Sequence, residues 1–498
     1  MIALPILIPL LTSILLIFSG NTRYQKVTGV AGAMVNFIIS ILIIFTVAGS
    51  NIQVLQAGNW EAPFGISLVV DMFSALMLLT SAFISLALSI YSTYYINDQL
   101  ISYRYFLFFH TLLMGVNGAF ITGDIFNLYV WFEVMLMSSF VLITLGSKAK
   151  QLKGGIKYLT MNLVASLFFL AGTGLLYGKT GTLNMAHLAA ILQNDSQAFL
   201  MDTSTMLFFI AFGTKAALFP FFFWLPSSYH TPPVAITAFF AALLTKVGVY
   251  AMIRVFTLFL VQNPAFWHTF FLVIAGLTMV TGGMAAASNY EIRKILSFHI
   301  ISQIGYIIFG LGLFTPFALA GAIYFTMHNM LAKTNAFLVS GHIHRLTGSF
   351  NLKGIGGIYK AYPLLGILFI IPAFALAGVP PLPGFFGKFF LIKAGFEAEK
   401  WFISGVAIIT GMLTLFSMIK IWNEAFFKKA PDNHLPGQVT GRLKRGELIP
   451  SILLGAGTIA LGLGIGYFFE FFMEAGNQLM DSSGYINAVL KGFGYETN

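Results

Sequence analysis

Cysteine is absent from the 498-residue sequence, which excludes disulfides, thiolate metal sites and cysteine nucleophiles. Charge is nearly as scarce. Charged residues make up 9% of the chain, against about 25% in an ordinary soluble domain, and a water-soluble globule of this size could not clothe its surface with so few. Also missing are a phosphate-binding GxxxxGK[ST], an HExxH, a dinucleotide fingerprint and a defensible Ser-His-Asp arrangement. The sequence is therefore not expected to be an enzyme, and nothing points to a metal or a cofactor. Energy for any transport must come from an ion gradient or from a partner.

What the chain has instead is apolar surface: hydrophobic residues fill 58% of it, so most of its outside must face a non-aqueous solvent, the lipid bilayer. A span needs about 20 mainly apolar residues. Such stretches cover approximately 2–19, 27–49, 69–91, 105–122, 125–145, 156–178, 204–223, 233–257, 268–288, 294–313, 317–341, 363–396, 402–426 and 449–471. The first run, Met1 to Phe18, lacks a basic start and a small-residue cleavage site, and is read as a retained span. The expected fold is an all-α, polytopic membrane protein of about fourteen transmembrane helices, forming a single integral membrane domain over 1–498. The longest polar loops, around 179–203 and 427–448, are too short for a soluble domain. The 53 Phe are packing and lipid-facing material.

The net charge of +10 does not imply nucleic acid, because the basic residues sit in short loops rather than on one face or tail. Inner loops of a membrane protein carry the Lys and Arg excess. With the N-terminus outside, seventeen basic residues fall in inner loops, among them Arg23, Lys26, Arg104, Lys148, Lys150, Arg293, Arg345, Arg442 and Lys444. Only Lys179, Arg254, Lys393, Lys400 and Lys491 fall in outer ones. An even span count then places both termini outside.

Five basic residues remain inside apolar spans: Lys215, Lys246, Lys333, Lys388 and Lys420. Each Lys facing lipid at mid-membrane costs about 2.5–3.5 kcal/mol on insertion scales. Three or more would cost on the order of 10 kcal/mol, comparable to a whole domain's net stability. They must face the protein interior. Lys215 lies in GTKAALFPFFFWLPSSYHTPP, where Pro220 and Pro226 break the seventh span just after it. Broken backbone at membrane depth is tolerated where it is buried or lines a wet cavity, and transporters place ion sites at such breaks; a mere proline kink with a snorkelling lysine is the plainer alternative. Pro380, Pro381 and Pro383 break the twelfth span in GVPPLPGFFGKFFLIKAG, and Lys388 follows. Lys215 and Lys388 are 173 residues apart and Lys246 and Lys420 are 174 apart. Those offsets suggest two five-span units of opposite orientation, 105–257 and 268–426.

Glu133 stands alone among apolar residues in DIFNLYVWFEVMLMSSF, either as a proton-linked carboxylate or as a simple partner of a neighbouring helix; Lys215 is its natural cation. His230 follows the first break, and His328 and Lys333 lie in the eleventh span. A lone membrane histidine is more often a packing residue than a relay, but here Lys and His recur at successive spans. Asp71 opens the third span as a cap. His187, His342, His344 and His434 are read as solvated loop residues.

At these residues the sequence resembles the antiporter-like subunits shared by respiratory complex I, membrane-bound hydrogenases and Mrp multisubunit Na+/H+ antiporters. The points of likeness are Glu133, Lys215, Lys246, His328 and Lys388 after GVPPLPGFFG. FNLYVWFEVML and GNWEAPFGISLVVDMFSALM look most like the D-subunit branch of the Mrp group. The chain departs in placing His328-Asn329 where relatives often have Asn-His four residues before the lysine of that span. The resemblance implies a prokaryotic cell membrane, other Mrp antiporter subunits as partners in a hetero-oligomeric complex, and H+ and Na+ as the ions. It also implies a proton path of half-channels joined by a hydrophilic axis through Glu133, Lys215, Lys246, His328 and Lys388, with His230, Lys333, Lys420 and Asp71 as accessory positions. Burial disfavours a charged lysine and a nearby carboxylate favours it, so Glu133 and Lys215 are expected to act as a coupled unit. Three readings stay open on the residues: an antiporter subunit, a proton-pumping subunit of a redox complex, and a membrane scaffold without transport.

Overall fold

The computed structural model of the chain describes residues 1–192, 198–429 and 443–491; His434 and Arg442 lie outside the described residues. The chain is built of long helices: α1 (Leu4–Ile17), α2 (Thr22–Ser50), α3 (Met72–Tyr95), α4 (Tyr105–Ile121), α5 (Ile125–Thr144), α6 (Ala149–Thr180) and α7 (Ala198–Ala216). There follow α8 (Val234–Leu258), α9 (Pro264–Ser288), α10 (Ile292–Leu313), α11 (Pro316–Thr347), α12 (Pro363–Ala377), α13 (Pro383–Glu397), α14 (Trp401–Ile421), α15 (Arg445–Leu463), α16 (Ile465–Met480) and α17 (Ser482–Leu490). Among the described residues nine helices are long and apolar enough to cross a membrane, and α1, α4 and α12 are shorter apolar helices.

Local sequence sets the ends. Side chains of Asn21, Asp71, Asp124 and Thr315 accept backbone N–H groups at the starts of α2, α3, α5 and α11, and proline opens α9, α11, α12 and α13, where its missing N–H costs nothing. The helices then sort by surroundings. Every residue from Ala318 to Ile343 of α11 and from Ala235 to Leu258 of α8 is buried, and α3 and α10 are nearly as enclosed. By contrast α2, α6 and α14 turn Phe45, Leu167 and Met412 outward, each more than 60% exposed. So broad an apolar exterior around an enclosed centre suits lipid rather than water. Four enclosed helices can hold polar groups away from that lipid.

Three local expectations change. An antiparallel hairpin, β1 (Gln53–Gln56) with β2 (Ser67–Val70), interrupts the all-α plan, pairing Gln53 with Val70; Val54, Val69 and Val70 favour strand, and the turn residues Gly58, Pro63 and Gly65 fall between the strands. The last apolar stretch does not run on to 471: α15 stops at Leu463 and α16 begins after Gly464. Phe472, Ala475 and Leu479 bury one face of α16 while Glu470 and Glu474 stand exposed on the other, an amphipathic pattern.

The third change concerns Arg254, which is not a loop residue. It sits in the last turns of α8, 4% exposed, and grips Asp71 at the start of α3 with Nη1–Oδ2 and Nη2–Oδ1 separations of 2.6 and 2.8 Å. Asp71 also accepts the Ser74 backbone N–H at 2.9 Å, so it caps α3 and neutralises Arg254 at once. Removing one partner of such a buried pair costs about 3–5 kcal/mol. Asp71→Ala is therefore expected to lower the thermal midpoint of the purified protein sharply, with Asp71→Ala/Arg254→Met recovering part of the loss. A single mutant as stable as the parent would refute this role.

Candidate functional site

Lys215 lies one residue before the end of α7. Ala217 then takes a left-handed φ of 60°, and the chain stays non-helical until the short helix Trp224–Ser228. The carbonyls left open at the break are taken up locally: Ala217 N–H and the Trp224 indole donate to Thr214 O at 3.1 and 3.0 Å. The Lys215 Nζ donates to Ser166 Oγ of α6 at 3.2 Å and lies 4.7 Å from the Phe132 ring centroid. A cavity of about 20 Å³, lined by Tyr158, Asn162, Lys215, Trp224 and Tyr229, has room for one water. Glu133 is near enough to act on the lysine through its charge, yet among the described residues the two form no ion pair. Its Oε1 is buried without a hydrogen-bond partner. The expected Glu133–Lys215 interaction is therefore electrostatic and not a contact.

Lys246 is wholly buried just past a π-helical turn, Phe240–Leu244, inside α8. Such a turn shifts backbone pairing by one residue, and the Lys246 Nζ donates to the Ala241 carbonyl at 2.7 Å. Two residues on, a Cβ on Gly248 would lie 2.8 Å from Ala216 N and 3.1 Å from Lys215 C. Glycine there lets α8 press directly on the end of α7, bringing the Lys246 segment against Lys215.

The second break joins α12 to α13. The Lys388 Nζ donates to the carbonyls of Leu376 and Ala377, both at 2.9 Å, the last two residues of α12. A cation is favoured at a helix C-terminus, so the counter-charge for Lys388 is a helix end. The crossing of α12 and α13 is tight: a Cβ on Gly384 would fall 1.8 Å from Ala375 O and 2.7 Å from His328 Nε2. Lys333 is fully buried in mid-α11, donates to Leu296 O at 3.4 Å, and lies within electrostatic reach of both Lys246 and Lys388. His328 is likewise within reach of Lys333 and Lys388. Both of its ring nitrogens lack partners, as do both amide atoms of Asn329.

The structure thus brings Glu133 to Lys215, Lys215 to the Lys246 segment, and Lys246 through Lys333 to His328 and Lys388. It leaves His230 and Asp71 apart from this row, while Lys420 stays within electrostatic reach of it through His299. His230 is half-buried in the loop before α8, bonded to Pro226 O at 2.7 Å. Lys420 donates to Ala287 O and Asn289 O, both at 2.6 Å, and so caps the C-terminal end of α9. Asp71 is committed to Arg254. His342 is no loop residue: it is fully buried in α11, because that helix runs six residues beyond the apolar stretch. His344 of the same helix is exposed and stacks on Phe350, and His187 is half-buried in the short helix Met185–Leu192. Sequence reasoning passed over His299 of α10, buried with both nitrogens unpartnered and within reach of Lys333, Lys388 and Lys420; a histidine in an apolar span was the available signal. Among the described residues no cluster of His, Asp or Glu is placed to hold a metal ion.

Residues 122–414 match the family described as NADH:quinone oxidoreductase/Mrp antiporter, TM. The chain is 42% identical to the Na(+)/H(+) antiporter's D subunit in Alkalihalophilus pseudofirmus over 99% of each chain. It is 40% identical to the equivalent protein of the same name from Bacillus subtilis, over 98% of this chain and 99% of that one. Among solved structures it is similar to a chain of the Mrp complex from a Dietzia species, with 31% identity, a TM-score of 0.90, and coverage of 98% of this chain and 99% of that one. A chain of respiratory complex I from Thermus thermophilus shares the fold at 22% identity and a TM-score of 0.83, over 96% of this chain and 100% of that one.

The α12–α13 crossing gives a direct test. Overpacking of a tight contact costs about 1–3 kcal/mol or more, and Ala375 O is backbone that cannot turn aside. Gly384→Ala is expected to lower thermal stability, whereas Gly405→Ala, whose Cβ meets nothing within 4 Å, is expected to be neutral. Equal midpoints for the two variants would show that the crossing is looser than described.

Proposed function

Because the chain belongs to the NADH:quinone oxidoreductase/Mrp antiporter transmembrane family, we propose that it is an ion-translocating subunit of a multisubunit Na+/H+ antiporter. It works beside other subunits in a hetero-oligomeric membrane complex and carries protons along Glu133, Lys215, Lys246, Lys333, His328 and Lys388. The observation that carries the path is a contrast in how charge is held. Arg254, which cannot release its proton, is clasped by a carboxylate. Lys215, Lys246, Lys333 and Lys388 touch a hydroxyl or backbone carbonyls instead. An amine donates to such acceptors whether or not it is protonated, so these contacts survive a change of charge that would break an ion pair.

The chemistry follows from repulsion and burial. A proton arriving at one amine makes the next one harder to protonate, since Lys333 feels both Lys246 and Lys388. Loading at one end therefore favours release at the other. Glu133 favours the charged form of Lys215 when near and releases it when it moves away, which couples uptake to displacement of α5. Lys388 exchanges its proton against the end of α12.

Helix starts that recur at one spacing support an internal repeat: Ile125 and Ile292, Ala149 and Pro316, and Val234 and Trp401 are each 167 residues apart. The lysine pairs at 173 and 174 fall out of that register. Lys388 lies beyond its break and Lys215 before its own, so the five-helix units repeat while the lysines do not correspond one to one. Counting the broken helices α7 and α12–α13 as one span each gives fourteen spans, with both termini outside; tags at either end should then be accessible only from outside, and a tag near residue 150 only from within.

Na+-dependent H+ flux in vesicles containing the complete complex tests the path. Glu133→Ala and Lys215→Ala are each expected to abolish flux with assembly intact by copurification, and their effects should not add, because both break one coupled unit. Near-normal flux in either would refute the pair. Between about pH 7 and 9.5, Lys388→Arg is expected to impair flux because arginine stays charged; full activity would make Lys388 a static charge.

A further inference from the structure

The C-terminal end of α3, the C-terminal end of α11 and the first turns of α15 meet at one end of the bundle. Glu447, in the first turn of α15, has a side chain only 1% exposed. One of its oxygens meets Arg345 of α11 at 3.2 Å, while the other is buried without a partner. Arg345 is itself 35% exposed and covers the Tyr95 ring at 4.9 Å. Behind them Tyr95 Oη is hydrogen-bonded to His342 Nδ1, and His342 Nε2 to Ser451 Oγ of α15 at 3.2 Å. Tyr91 stacks on Tyr95 at 4.1 Å, its buried hydroxyl without a partner.

A simple staple between helices would use both carboxylate oxygens, as Asp71 does with Arg254. This cluster instead leaves acceptors open and engages both nitrogens of one imidazole with hydroxyls. It also continues inward. His328, Asn335 and His342 lie seven residues apart on α11, a spacing that drifts only about 20° per step and keeps them on one face, roughly 10 Å apart. Asn335 is fully buried with neither amide atom bonded. Gly455 of α15 leaves space beside it, since a Cβ there would lie 3.6 Å from Asn335 Nδ2. His328 at the inner end has both nitrogens unpartnered. Buried polar atoms are rarely left so, and a file of them along one seam suits water.

We propose that the seam between α3, α11 and α15 is a proton port leading to His328, with Glu447 and Arg345 at its mouth, Tyr95, His342 and Ser451 as its neck, and Asn335 holding water midway. It rests on the transport reading above and loads His328 from a second side, so that flux needs protons both here and at the Glu133–Lys215 end of the row. The step at the neck balances: a proton delivered to one nitrogen of His342 forms an N–H bond as the N–H bond at the other breaks and its proton passes to the neighbouring hydroxyl. The ring keeps its proton count, and each hydroxyl gains one proton as it gives one up.

The cysteine-free sequence makes the test clean. Ser451→Cys and Asn335→Cys, each in the complete complex in vesicles, are treated from either side with a small membrane-impermeant cationic methanethiosulfonate, with lipid-facing Ile452→Cys as control. Ser451→Cys is expected to label from the Arg345 side alone, while Asn335→Cys, behind the proton-passing neck, and the lipid-facing control stay unlabelled. His342→Gln and Glu447→Gln are expected to lower H+ flux at least tenfold in assembled complex. A Ser451→Cys that labels only from the opposite side or not at all, or full flux in Glu447→Gln or an assembled His342→Gln, overturns the port. Should parent vesicles show no Na+-dependent H+ flux, the transport reading fails instead, and labelling still decides whether the seam is wet.

Discussion

Holding buried lysines without a carboxylate in contact is the constraint on which the rest of this structure depends. Among the described residues four lysines in the enclosed centre meet no carboxylate, and each is held by dipoles instead. Backbone carbonyls are freest where a helix has been interrupted, because an intact helix spends its carbonyls on its own N–H groups; Lys333 alone reaches a carbonyl inside an unbroken helix, Leu296 O of α10 at 3.4 Å. Interruptions lie beside the other three lysines: the π-helical turn before Lys246, the end of α12 under Lys388, and the break just after Lys215, whose amine meets the Ser166 hydroxyl.

The same constraint explains the arrangement of helices. α11 carries His328, Asn329, Lys333, Asn335 and His342, too polar for lipid, and it is enclosed from Ala318 to Ile343. The apolar helices α2, α6 and α14 take the outer positions. Glycines set how closely the inner helices approach: Gly248 brings α8 onto the end of α7, and Gly384 brings α13 across α12 beside His328. The buried polar row and the packing that encloses it are one design.

Much of this was legible in the sequence, for a physical reason: apolar runs near bilayer length and prolines at breaks are strong, local signals. The runs containing Glu133, Lys246 and His328 became α5, α8 and α11, and the breaks after Lys215 and before Lys388 fell near their prolines. What escaped was relational. Arg254 read as a loop residue because its partner Asp71 is 183 positions away. His342 read as solvated because α11 outruns its apolar stretch. The lysine offsets suggested a register that the helix starts do not share. Glu133 and Lys215 act on one another through space, and no spacing could tell that from a contact.

The far end of the chain closes over the Arg254–Asp71 pair. Tyr485 of α17 lies 5.5 Å from the guanidinium, and Gln478 of α16 accepts the Met72 N–H at 2.9 Å. In the order of synthesis, Asp71 enters the bilayer edge long before Arg254 exists, and both wait for the final two helices before their surroundings are complete. A polypeptide stopped short of α16 would leave the Arg254–Asp71 pair without the cover that Gln478 and Tyr485 supply.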